Sequence, residues 1–261
     1  MINIKKNNAF TAVFVLFLTF QGLVSCGPKR NYNSRIEGKK IPITGEYAPV
    51  QQIEDFVTPY RQYINNDLDS ILAYAPETLD KSKSIKKWQT TIGNLMADVT
   101  FEKADKLFFM REQKHVDISL LNHGGIRAII PRGNVTARTA YEVMPFENSL
   151  IIIALKGEQV KEIADYIIRE KKPHPLSGME IIIDKQGMIK NVTVQGVPMD
   201  MNRTYYIATS DYLSGGGDNM EFFKKAVGSY DMDYKLRNLY IDYFKEVDTI
   251  PVIRTERIIT E

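Results

Sequence analysis

The sequence predicts a mixed α+β fold, a single mixed-sheet domain with flanking helices. Three observations carry the prediction. Segments with apolar residues three and four apart alternate with short runs rich in β-branched residues, so helices and strands are interleaved along the chain. Two of the strand-like runs end in glycine-rich turns. The 261 residues are 44% hydrophobic and 25% charged, the balance of a folded globular protein rather than a disordered or collagen-like one. Strand order cannot be read from such a pattern.

Taken in order, Ile53, Phe56, Val57, Tyr60, Ile64, Leu68, Ile71 and Leu72 recur at helical spacing up to Pro76, and Pro59 either kinks this helix or marks its first turn. Gly93 and Asn94 open a second helix through Leu95, Ala97, Val99 and Ala104, the glycine permitting close backbone approach at its start. Val116 to Leu121 reads as a buried strand ending at Asn122-His123-Gly124-Gly125. A helix from Ala137 to Met144 precedes a core strand, Leu150 to Leu155, and then a helix with an inner stripe of Val160, Ile163, Ala164 and Ile167. Met179–Ile183, Ile189–Val194 and Tyr205–Thr209 are three further strands, the first two joined by a turn at Lys185 to Gly187. After Gly215-Gly216-Gly217, a helix is expected near Asn219 with Phe222, Phe223 and Ala226 inside. Leu236, Leu239, Tyr240 and Tyr243 mark another before a short C-terminal strand.

The N-terminus reads as an export signal. Lys5 and Lys6 precede an apolar run from Ala9 to Phe20, too short to span a bilayer, which needs about 20 residues. Leu23-Val24-Ser25-Cys26 resembles the lipobox at which bacterial lipoproteins are cut and acylated, and Cys26 is the chain's one cysteine. Residues 1–25 are therefore expected to be a signal peptide, and 26–48 the lipidated cysteine and a flexible tether. The folded domain would then run over 49–261, with the protein held by its lipid in the bacterial cell envelope, at the periplasmic or surface face of the outer membrane. Each buried acyl methylene contributes about 0.8 kcal/mol to that anchor.

With 34 basic and 32 acidic side chains the formal charge is +2, which excludes binding polymeric nucleic acid through massed phosphate contacts. Small ligands fit better. The loops at Asn122–Arg127, Pro145–Asn148 and Tyr212–Asp218 together offer two aromatic rings, two amides, a guanidinium and a carboxylate. Rings stack a base, amides read its edge, a carboxylate accepts ribose hydroxyls and arginine forks onto phosphate. Each loop alone is equally compatible with a structural turn, and neither glycine run matches the phosphate-binding or dinucleotide-binding loop patterns.

Taken together, Ala75-Pro76-Glu77-Thr78-Leu79, Gly93-Asn94-Leu95, Ala97-Asp98, Asn122 through Arg127, Pro145-Phe146, Ser177-Gly178 and Gly215-Gly216-Gly217-Asp218 resemble the C-terminal, substrate-binding domain of the 5'-nucleotidase family. The resemblance implies that Phe146 and Tyr212 sandwich the base and that Asn148 reads it. It further implies that Asp218 takes the ribose and that Asn122 and Arg127 face ribose or phosphate oxygens. Gly178 and Lys86 enter the substrate-binding set on the same ground. Lys86 stands where the family has arginine, which replaces a planar fork with a point charge.

In that family hydrolysis belongs to a separate N-terminal metallophosphatase domain with two metal ions. Its Asp, His and Asn ligand motifs have no counterpart here, and the three histidines are dispersed. No catalytic residue, metal or cofactor is therefore expected in this chain. The expected partners are a nucleotide or nucleoside, a separate metallophosphatase chain carrying the divalent metals, and the membrane through the lipid. The alternative is a surface lipoprotein that captures nucleotides or nucleosides without catalysis.

Overall fold

In the computed structural model, residues 5–23, 35–42, 44–45 and 48–261 are described. Cys26, the expected lipidation site, lies outside them, as does residue 25, the expected cleavage point. The chain divides into two units, Met1–Gln51 and Gln52–Glu261. The first carries helix α1 (Lys5–Leu23), whose Phe10, Val13, Phe14, Leu16 and Phe17 are exposed. No helix among the described residues is long and apolar enough to cross a membrane.

All but the first residue of α2 (Gln51–Leu68) belongs to the second unit, and Pro59 is interior to this helix and not a first-turn residue. None of its residues is buried, so the apolar stripe of Ile53, Phe56, Tyr60 and Ile64 faces outward. The expected extension of this helix to Leu72 fails. The chain turns at Asp69, and Ile71–Ala75 forms β1 instead, because its backbone finds an antiparallel partner in a strand some 60 residues on.

A small hairpin follows, β2 (Ser84–Ile85) and β3 (Gln89–Thr90), and then α3 (Thr91–Glu112). Next come β4 (Ile118–Leu120), β5 (Gly133–Thr136, the partner of β1), α4 (Ala137–Val143), β6 (Ser149–Lys156) and α5 (Gly157–Glu170). Strands β7 (Leu176–Ser177), β8 (Met179–Ile183), β9 (Ile189–Val194), β10 (Val197–Pro198) and β11 (Thr204–Ser210) lead to the one-turn α6 (Asp211–Ser214). Finally β12 (Gly228–Lys235), α7 (Leu236–Glu246) and β13 (Ile258–Thr260) close the chain. The helix expected near Asn219 is replaced by two 3-10 turns, Gly217–Asn219 and Glu221–Lys225. Asp218 and Asn219 adopt positive φ, which an α-helix cannot accommodate.

The α+β class holds, with the strands divided between two principal sheets. One has the order β12-β6-β11-β4-β7, the other β10-β9-β8-β13. The corner between them is Gly178, at φ +78, where a Cβ would lie 2.2 Å from the Asp117 carbonyl oxygen. Strand β6 sits between two cores. Leu150 and Ile152 join α3 and α7, whereas Ile151, Ile153 and Leu155 join α5 and the second sheet. Its unbroken apolar run is what a strand covered on both faces requires.

Two sequence motifs turn out to hold the fold. Thr90 caps α3 by accepting the Gly93 N–H at 3.0 Å, so the close approach that Gly93 permits is to this hydroxyl. Asn94, 2% exposed, donates its amide to the carbonyls of Ile253 (3.2 Å) and Thr255 (2.9 Å), fastening the C-terminal segment.

Candidate functional site

Topology brings three loops to one end of the five-stranded sheet. Strands β4 and β11 are parallel neighbours, so the loops leaving them emerge side by side. Strand β6 runs antiparallel to β11, with Leu150 opposite Ser210, so the loop entering β6 arrives at the same end. There Asn122, Gly124, Gly125, Arg127, Phe146, Asn148, Tyr212 and Asp218 line one cleft of about 340 Å³. That volume lies within the range of small-ligand sites.

The first loop is a 3-10 turn, His123–Gly125. Gly125 keeps it tight, since a Cβ there would come within 2.6 Å of the Asn122 Oδ1. The Arg127 backbone N–H donates to the Val143 carbonyl (2.8 Å), its guanidinium donates to the Gly124 carbonyl (3.3 Å), and the same guanidinium lies 5.7 Å from the Phe146 ring centroid. The loop before β6 is braced from α7. Arg237, buried and stacked 4.0 Å over the Tyr141 ring, donates to the Phe146 carbonyl (3.3 Å) and pairs with the Glu147 carboxylate. That hydrogen bond holds the Glu147 carboxyl below the usual range.

In the third loop Asp218 is the hub. Its carboxylate accepts from Asn122 Nδ2 at 2.7 Å and from the Tyr212 hydroxyl at 3.0 Å, and its own N–H reaches the Tyr212 oxygen at 3.2 Å. Gly217 packs against the Tyr212 ring, where a Cβ would fall 2.5 Å from Cε1. Phe146 is 39% and Tyr212 49% exposed, so both rings offer unburied faces within the cleft. Large exposed aromatics beside convergent polar groups are a ligand-binding arrangement more than a packing one.

Of the eight sequence-predicted substrate-binding residues, six line this cleft and two do not. Lys86 sits in the turn of the β2–β3 hairpin at φ 44, with Nζ bonded to Glu256 at 2.6 Å, and borders a different hollow. Gly178 is the sheet corner and likewise borders another hollow. Neither shares the cleft with the other six, because spacing to a motif locates a residue along the chain and not in space.

The structure also adds residues that the sequence did not single out. Lys81 Nζ donates to the Ile126 carbonyl beside Arg127. His174 lies under the first loop, 5% exposed, and its Nδ1 accepts the His123 N–H at 3.3 Å. Burial, with His123 and Lys172 nearby, pushes His174 down to about 4. Burial also lowers His123, aided by Lys81. These contacts join residues about 45 and 51 positions apart and leave no periodic trace in the sequence. Among the described residues no group of three or more His, Cys, Asp or Glu side chains could hold a metal ion.

The depressed His174 value has a stability consequence. The unfolded chain takes up this proton near 6.5 and the folded chain only near 4. The stability present above pH 6.5 is therefore lost as pH falls, down through about 4, by an amount on the order of 3 kcal/mol. Urea denaturation across this window should show His174→Asn losing correspondingly less, since its amide oxygen can still accept the His123 N–H and does not titrate. Equal losses in the two proteins would remove His174 as the cause.

Fold and cleft together define an α+β domain whose cleft-lining side chains stand on loops at one sheet end. Residues 72–225 match the family described as 5'-nucleotidase, C-terminal domain. Among curated relatives, protein UshA of Yersinia enterocolitica is 24% identical over 218 residues, covering 80% of this chain and 38% of its own length. Cell wall protein Lmo0130 of Listeria monocytogenes is 25% identical over 236 residues, 84% of this chain and 28% of that protein. The crystal structure of a 5'-nucleotidase precursor from Thermus thermophilus superposes with a TM-score of 0.67 at 24% identity, over 80% of this chain and 43% of that one, and so shares the fold. This chain belongs to the 5'-nucleotidase C-terminal domain family. It spans about two fifths or less of the length of these relatives.

Proposed function

We propose that this chain is the nucleotide- or nucleoside-binding half of a split 5'-nucleotidase. It holds base and ribose while a separate metallophosphatase chain supplies two divalent metals and the attacking water. The observation that carries the reading is the cleft itself, which gathers two exposed rings, two amides, a guanidinium and a carboxylate. Phe146 and Tyr212 stack the base, Asn148 reads its edge, Asp218 accepts the ribose hydroxyls, and Asn122 and Arg127 face the ribose–phosphate end. Holding a substrate in a reactive orientation is worth several kcal/mol, so a domain without metal ligands can still raise the rate of one that has them. Export by the N-terminal signal, with a lipid on Cys26, places this binding half in the cell envelope. The match to a cell wall protein accords with that address.

Calorimetric titration of the chain with AMP and adenosine tests the binding function. Hydrolysis assays with the chain, a metallophosphatase and both together test the split. Binding combined with faster or more selective turnover supports the reading. Binding with no effect on any such enzyme leaves the non-catalytic capture lipoprotein, and absence of binding overturns both. Arg127→Lys should weaken AMP severalfold more than adenosine, because a point charge replaces a planar fork. Equal losses would show that Arg127 does not reach phosphate.

A further inference from the structure

Asp218 is held in an uncommon conformation. Its φ of 52 and ψ of 30 are left-handed, and it lies between Gly216 at φ +87 and Asn219 at φ 60. Non-glycine residues adopt this region when their surroundings enforce it. One enforcing contact comes from α5, outside the three site loops. Tyr166, 2% exposed, donates its hydroxyl to the Asp218 carbonyl oxygen at 2.7 Å. Its ring is 5.5 Å from that of His174, which accepts the first loop's His123 N–H, and 5.6 Å from Phe222, just beyond the third loop. Burial, with Glu170 and Asp218 nearby, pushes its hydroxyl up to about 12, so it remains a donor at ordinary pH.

We propose that Tyr166 is a positioning residue for ribose recognition. Without touching the ligand, it locks the Asp218 backbone so that the carboxylate meets the two ribose hydroxyls, and its ring braces the first loop through His174 at the matching distance. Loss of the hydroxyl removes the side-chain bond on the Asp218 carbonyl, so the peptide is held only from the Asn122 and Tyr212 side and the carboxylate's alignment with the sugar loosens while the aromatic rings stay in place. The inference rests on the nucleotide-binding reading and adds to it the residue that sets selectivity for the sugar.

The test uses the full chain, titrated with adenosine and with 2',3'-dideoxyadenosine. The unaltered protein should bind the dideoxy ligand about a hundredfold more weakly, since two hydrogen bonds to a charged group are missing. Tyr166→Phe, which keeps the ring against His174 and Phe222, should lower that ratio about fivefold while leaving dideoxyadenosine affinity within about twofold. Phe222→Leu, a packing change beside the same ring that leaves the hydroxyl in place, should keep the full ratio. In an Asp218→Ala background, Tyr166→Phe should change the ratio no further. An unchanged ratio in Tyr166→Phe, or parallel loss of both ligands, overturns the inference while nucleoside binding by the unaltered protein stands. Failure of the unaltered protein to bind either ligand overturns the reading beneath it.

Discussion

Phe146→Ala is expected to raise the nucleoside dissociation constant of the proposed site by roughly tenfold to a hundredfold, and Tyr212→Ala to do the same, each ring contributing about 1 to 3 kcal/mol of stacking. Titration calorimetry reads the loss directly. Both rings are substantially exposed, so thermal unfolding should move by only a few degrees and the loss is not one of fold. The two positions separate further on conservative replacement. Tyr212→Phe keeps the π face but removes the donor that reaches Asp218 at 3.0 Å, so a smaller loss, concentrated on the ribose end, is expected. Unchanged affinity in both alanine variants would show that the cleft does not clamp a base.

Gly178→Ala should cost at least about 3 kcal/mol of unfolding free energy in urea. A Cβ at that position would stand 2.2 Å from the Asp117 carbonyl and 2.7 Å from the Gln195 amide nitrogen, on a backbone at φ +78. The amide already donates to that carbonyl at 2.8 Å, so three groups meet in the corner and none can retreat alone. The fraction that remains folded should bind nucleoside normally, because the corner lies away from the cleft. Reduced affinity at full stability would return Gly178 to the binding set.

Local rules carried most of the elements. The stripe of Val160, Ile163, Ala164 and Ile167 is buried as its spacing requires, and Leu150 to Leu155 is a core strand. Tertiary competition accounts for the departures. Ile71 and Leu72 fit a helical period and also a strand, and a distant partner strand decided between them. Strand β12, an edge strand on β6, did carry a signal, since Tyr230, Met232 and Tyr234 alternate with Asp231 and Asp233, but the run is short of β-branched residues and was passed over.

The candidate site was legible in the residues that line its cleft and illegible in those that support them. Asn122, Arg127, Phe146, Asn148, Tyr212 and Asp218 lie in turns whose composition announces them. Arg237, His174, Tyr166 and Lys81 are distant in sequence from the loops that they steady, and nothing in their own surroundings marks them. Lys86, at the matching offset, lies outside the cleft and pairs with Glu256, a placement that the offset along the chain does not reveal.

The grip of Asn94 on the carbonyls of Ile253 and Thr255 bears on where this domain can be cut. The match to the family model ends at residue 225, yet β13 lies alongside β8, and Arg257 pairs with Asp98 at 2.7 Å far beyond that point. A chain trimmed to residues 72–225 would strand the buried Asn94 amide without these two acceptors and strip the second sheet of a border. The tail is a clasp, and the smallest piece that can stand unaided must include it.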